Sequence, residues 1–480
     1  MLITLAAPAF AGTWYIENGD ITVKASGTEG KNKVSQGNNP EVEDTNTIIT
    51  NQKTDTASSN TVTIEANGKN DKVEVTLKDV NIDTSSRNNA AVSVTGSGNT
   101  TIKLDGDNHL AGGNGIYSNS SGSLTISGDE NDSLTAQGGD SRNGIYSVSG
   151  DVTISGGTVT ATGGNSTGSY GSGGDGIHSG SLTISGGTVT AKGGSGEDGE
   201  DGGDGIRSFD PVTISGGTVN ANGGSGEDGS GGRGIISTKS VTISGGTVNA
   251  NGGSGKNGNG GNGIIGSGRV AISGGTVEAA GGNGSTGGGS GIYSSVIDLA
   301  GSLELTAKAG SPNGKALSQR GNELDLNTIK DKLGPGAKVT ATDADGKVID
   351  QVPIPRPVEP EGPVIPEESS SSSDGGSSAP SAPVSPLPGL TVTDKDGQRI
   401  SYTSTQSGNT LTVCVGRLTA SLRISLAALR QLRAEGIETI TFQTILCSTT
   451  LSVDELLAMG GEDAEAVLTH RLTDSSLTVG

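Results

Sequence analysis

The sequence predicts an all-β chain: a parallel β-helix, or solenoid, followed by a disordered Pro/Ser-rich linker and a small α+β domain. Three observations predict it. One phrase returns about every 29 residues, as LTISGDENDSLTAQGG (124–139), VTISGGTVTATGG (152–164), LTISGGTVTAKGG (182–194), VTISGGTVNANGG (212–224 and 241–253) and VAISGGTVEAAGG (270–282). A second marker, Gly-Ile, recurs at Gly115, Gly144, Gly176, Gly205, Gly234, Gly263 and Gly291. Within each copy apolar residues alternate with Thr and Ser at period 2, and glycines fall too often for a helix. A period of this length marks a solenoid or an array.

Each copy holds three strand-like pieces. Val152 and Ile154 alternate with Thr153 and Ser155; beyond the Gly156-Gly157 corner, Val159 and Ala161 alternate with Thr158 and Thr160; Gly144-Ile145-Tyr146-Ser147 is the third piece. Three strands per turn without a crossover helix predict rungs stacked about 4.8 Å apart, with Ile126, Ile154, Ile184, Ile214, Ile243 and Ile272 forming one core column. Disorder, the alternative for Gly- and Ser-rich chains, does not explain why Val, Ile and Thr keep register over six copies.

Along the chain, residues 1–11 have the form of the later part of a secretory signal, an apolar run ending in Ala9-Phe10-Ala11, without the basic start such signals carry. Residues 12–90 are expected to be the N-terminal cap and irregular first turns. Residues 91–350 are expected to be the β-helix with its C-terminal cap, including a short helix near 326–333 and a strand near 338–342. Residues 351–389 form the linker, since ten of the fifteen prolines and the run Ser369–Ser373 fall there. In 390–480, Leu411, Val413 and Val415 alternate as a strand, Leu426, Leu429 and Leu432 have helical spacing closed by Gly436, and Ser452-Val453-Asp454-Glu455 is a capping box. Cys414 and Cys447, the chain's two cysteines, stand at strand positions off the apolar face. Either a disulfide or two unpaired thiols fits them.

A net charge of −21 disfavours nucleic acid and anionic membranes as partners. No run approaches the roughly 20 apolar residues of a membrane span. The three histidines, His109, His178 and His470, have neither triad nor metal spacing, and no acid pair or acid-plus-Arg set recurs across adjacent strands, so a non-enzyme is expected.

The stretch from Trp14 to Val23, the phrase Leu104-Asp105-Gly106-Asp107-Asn108-His109-Leu110 and the repeated ISGGTV rungs resemble the clostridial carbohydrate-binding β-helix family over about residues 12–350. The resemblance implies a right-handed helix similar to polysaccharide lyases, an exported protein, calcium sites, and binding of a plant or bacterial polysaccharide without cleavage.

Independently of the resemblance, the Gly-Ile pieces predict an outward column of Tyr117, Tyr146, His178, Arg207, Ile236, Ile265 and Tyr293. Tyr faces suit the apolar side of a pyranose, while His178 and Arg207 suit hydroxyls or an acidic sugar. Tyr117, Tyr146, His178, Arg207 and Tyr293 are therefore the candidate carbohydrate-binding residues, on a chain expected to be monomeric. Loops folding over the column would instead leave the tyrosines as packing. The acidic loop residues Glu197, Asp198, Asp201, Asp204, Glu227 and Asp228 would suit calcium, but a solvated acidic edge partly balanced by Lys256 is the favoured reading. The loop glycines, spaced by three, predict extended, left-handed three-fold loops lying side by side along one edge, where only Gly permits close backbone approach. A second function class remains: a surface stalk or adhesin whose 390–480 domain makes the contacts. An ice-binding Thr face is a third idea, weakened where Asn220, Asn249 and Glu278 interrupt it.

Overall fold

A computed structural model describes residues 12–28, 30–168, 171–197, 200–353, 389–394, 398–400, 402–407, 409–415, 419–444, 448–459, 464–470 and 475–479. It divides into two compact units, 1–363 and 364–480.

The first unit is the β-solenoid. A typical rung has a first strand such as Ile145–Ser147, a second such as Val152–Ile154 and a third such as Thr158–Thr162. First strands stack into one parallel sheet, and second and third strands into another that bends at the Gly-Gly corner. Gly157, Gly187, Gly217, Gly246 and Gly275 hold that corner at φ between 75° and 82°, where a side chain would be strained. Identical residues meet from rung to rung: Val159, Val189, Val219, Val248 and Val277 are in register, as are Ile154, Ile184, Ile214, Ile243 and Ile272. All of them are buried, so a narrow core of small aliphatic residues runs the length of the unit. A column of buried serines accompanies them; Ser208, for example, donates to the Gly180 carbonyl at 2.6 Å, satisfying the turn after the first strand.

Both ends are closed by reversed strands, which hide the pairing edges. At the start, Asn32–Gln36 runs antiparallel to Ile21–Ala25, and Asp44 receives hydrogen bonds from Trp14 Nε1 at 2.7 Å and Gly12 N at 3.0 Å. At the end, Val348–Pro353 runs antiparallel to Lys338–Thr342. The helix expected near 326–333 is instead two 3₁₀ turns, Leu326–Thr328 and Lys330–Lys332. Ile329, at φ −115°, separates the two turns, and Gly334-Pro335 closes the segment.

The inter-rung loops pack as expected from their glycines. The amide of Gly203 donates to Gly194, Gly224 to Gly203, Gly232 to Gly224 and Gly253 to Gly232, each at 2.8 Å, so outgoing and returning legs of successive loops interleave. A Cβ on Gly194, Gly224, Gly253 or Gly282 would lie 1.9–2.0 Å from the carbonyl oxygen of the glycine one rung earlier. No side chain fits there.

The second unit has its own core. Two four-stranded sheets carry helices Leu426–Ala434 and Val453–Met459, the first N-capped by Ser425. The linker expected at 351–389 lies, beyond Pro353 and up to residue 388, outside the described residues. Residues 1–11 do as well.

Candidate functional site

The Gly-Ile column is assembled in register, because the preceding Ile of each first strand is locked inward. Tyr117 pairs with Tyr146, Tyr146 with His178, His178 with Arg207, Arg207 with Ile236, Ile236 with Ile265 and Ile265 with Tyr293. Ring centroids lie 5.7 Å apart for Tyr117 and Tyr146 and 4.9 Å apart for Tyr146 and His178. Phe209 extends this ladder, 5.0 Å from His178. Phe209 was absent from the sequence-based column because it lies in the bend just after the strand Ile206–Ser208, where alternation does not set a side chain's direction. Phe209 is 47% exposed and Tyr293 40%, whereas Tyr117 and Tyr146 are half-buried and Ile265 is covered. The column is thus two stations: a ladder from Tyr117 to Phe209, and Tyr293 set apart by two isoleucines.

Beside the column the structure brings together charges that alternation alone did not. Where the residue preceding a Gly-Ile marker is Asn or Asp, its side-chain oxygen accepts the backbone N–H one rung on. Asn114 accepts from Asn143 at 2.9 Å, Asn143 from Asp175 at 2.6 Å, Asp175 from Asp204 at 2.7 Å and Asp204 from Arg233 at 2.7 Å. Asp175 Oδ2 also meets His178 Nδ1 at 2.8 Å and Arg207 Nε at 3.0 Å. Arg207 Nη2 lies 2.6 Å from Asp204 Oδ2, an ion pair without hydrogen-bond alignment. This acid pair with arginine lies in the turns before two first strands and occurs once, so it was not visible as a recurring set. It corrects the placing of Asp204 among calcium ligands, since Asp204 is fully buried in the ladder.

Burial, with Asp175 beside it, pushes the Asp204 carboxyl up to about 6 against the pull of Arg207 and Arg233. Burial disfavours the charge on Arg207, but Asp204 and Asp175 outweigh it and raise that group. Asp175 and Asp204 are therefore balanced chiefly by Arg207, with Arg233 farther off at 3.7 Å. Neither carboxylate is open to solvent.

The acidic loops are spread along another edge. Bridging of Gly196 to Gly226 sets Glu197 and Glu227 one rung apart. Glu227 pairs with Lys256, Asp228 accepts from Asn257 Nδ2, and Asp201 Oδ1 accepts the Ser230 amide at 2.6 Å. Asp198 lies outside the described residues. Among the described residues no three metal-ligating side chains converge. Ser195, Ser225 and Ser254 with Lys256 and Asn283 line an open trough of about 760 Å³ along these loop bases. Cys414 is partly exposed, its thiol 3.6 Å from Gln443 Oε1, and Cys447 lies outside the described residues.

A rung-stacked core, in-register columns and interleaved loops define a parallel β-solenoid protein. Agreeing with this, the model of the Beta helix repeat matches three consecutive rungs, at residues 182–206, 212–235 and 241–264. No curated protein and no solved structure matches the chain. No helix among the described residues is long and apolar enough to cross a membrane.

Proposed function

We propose that the solenoid is a non-catalytic, exported carbohydrate-binding module that receives a polysaccharide along the first-strand face, as the resemblance to clostridial carbohydrate-binding β-helix proteins implies. The observation that carries this reading is the ladder Tyr117, Tyr146, His178, Phe209. In a chain with only 2% aromatic residues, four rings follow one another at centroid separations of 4.9–5.7 Å along a single face. Rings repeating at the rung spacing match a linear chain of pyranoses, whose apolar faces stack on aromatic surfaces. Arg207, a third exposed on its side chain, supplies hydroxyl-binding donors beside them. The buried Asp175 and Asp204, balanced chiefly by Arg207, are poorly placed as acid and base, which favours binding over cleavage.

The test is retention of the full chain on insoluble polysaccharides, with Tyr117→Ala/Tyr146→Ala and Phe209→Ala variants and melting measured alongside. Loss of retention with folding intact is expected; unchanged retention removes this face. A glycan array with the two units presented separately decides the stalk reading, which gains if only residues 390–480 bind.

A further inference from the structure

The ladder of side-chain oxygens beside the column is interrupted where its member is not an Asn or Asp. Arg233 occupies the ladder position between Asp204 and Asn262, and it has no acceptor to offer. The backbone N–H of Asn262, which every preceding rung down to Asn143 would satisfy, is left without an acceptor among the described residues. The ladder resumes for one step, Ser290 N donating to Asn262 Oδ1 at 2.5 Å, and stops again at Lys315, whose N–H likewise has none.

Both interruptions open onto one cavity of about 380 Å³, lined by Arg233, Asn259, Asn262, Tyr293 and Lys315 with glycines and serines between them. Its described lining contains two cations and no carboxylate, in a chain of net charge −21. Asp204 stands 3.7 Å from Arg233, looser than its 2.6 Å contact with Arg207, and the Arg233 side chain keeps 36% of its surface exposed. Glu323, near Lys315, spends its oxygens on the amides of Ala316 and Leu317 at 3.1 and 2.7 Å. Arg233 thus has only a loose partner in Asp204, and Lys315 has no ion pair among the described residues, so both can bring donors beside the two unpaired backbone N–H groups. An incoming oxyanion would accept from these N–H groups and from the two cations together.

The geometry points to a second ligand site here: a pocket for a glycan unit carrying an oxyanion, whose charged group takes the place of the missing ladder oxygen between Arg233 and Lys315 while its ring lies against Tyr293. The volume suits one or two sugar rings. The anion contact stands by itself, and only the sugar ring rests on the glycan reading above.

Titration calorimetry on the full chain tests it with D-glucuronate, D-glucose and inorganic sulfate. Glucuronate should bind saturably, glucose roughly tenfold or more weakly, and added salt should weaken glucuronate. Arg233→Asn restores the ladder oxygen, as at Asn143, so it should fold with unchanged melting and lose glucuronate and sulfate binding by roughly tenfold. Lys315→Gln should lose both as well, and carries the test if Arg233→Asn misfolds. Tyr293→Ala should weaken glucuronate but not sulfate. Absence of saturable glucuronate binding, or affinity within about twofold of wild type in both charge variants, overturns the site. Unchanged glucuronate affinity in Tyr293→Ala overturns the ring contact. Glucuronate binding retained in Tyr117→Ala/Tyr146→Ala, after that variant has lost polysaccharide retention, separates this pocket from the ring ladder.

Discussion

Asp204 and Arg233 are joined backbone to side chain across one rung: the Arg233 amide donates to Asp204 Oδ1 at 2.7 Å, while the other carboxylate oxygen faces Arg207 at 2.6 Å. The same interaction is made by neutral Asn143 with the Asp175 amide. A charge is therefore not required to build the ladder at this position, and its burial has an energetic consequence.

With its folded pKa raised to about 6 from an unfolded value near 3.9, Asp204 binds its proton more tightly in the folded protein. The resulting stabilisation is complete below the unfolded value and is lost as pH rises through about 6. Relative to Asp204→Asn, the wild type should gain on the order of 1–3 kcal/mol between pH 7.5 and pH 5. Melting curves of the two proteins at both pH values check this; a constant difference between them would refute it.

The interleaved loops make a sharper demand on sequence. Gly224→Ala places a methyl 1.9 Å from the Gly194 carbonyl, so several neighbouring hydrogen bonds must break. A loss of roughly 3 kcal/mol or more is expected, with faster amide exchange at Gly194 and Gly203. Gly168→Ala, with nothing within 4 Å, should be neutral to about 0.5 kcal/mol.

Removing Asp44 should loosen the N-terminal cap. Asp44→Ala orphans Trp14 Nε1 and the amides of Gly12 and Asn46. A cost of about 2–4 kcal/mol follows from the lost buried acceptor. The chain's single tryptophan reports it directly: its fluorescence should shift to the red and become more quenchable before the global melt.

At the loop edge, Glu227 and Asp228 already have Lys256 and Asn257 as partners, which supports the solvated-edge reading. Calcium or a chelator should move the melting temperature of the wild type by less than about one degree, and Lys256→Gln should cost under about 1 kcal/mol because the pair is exposed. A chelator-sensitive melt would instead restore the calcium reading.

The rung architecture and the column from Tyr117 to Tyr293 were legible in the sequence. Strict repetition at period 2 leaves parallel stacking as the arrangement that buries every Ile and Val, and register then follows because a one-residue slip would expose the whole set. Close packing of the loop glycines was legible for the same reason, as only Gly tolerates it. Tertiary structure alone decided what lies between strands. At the turn before each first strand, alternation no longer says where a side chain points, so Asp175 and Arg233 carried no signal, and Asp204 looked like a loop ligand. Stacking brings these three and Arg207 within hydrogen-bonding range, since residues about 29 positions apart in the chain become neighbours one rung apart in space. The interruption at Arg233 exists only because the structure shows which amide each ladder oxygen serves. A repeat specifies its own stacking because equal residues bury equal surfaces; a site made by departures from the repeat depends on which neighbours those departures meet.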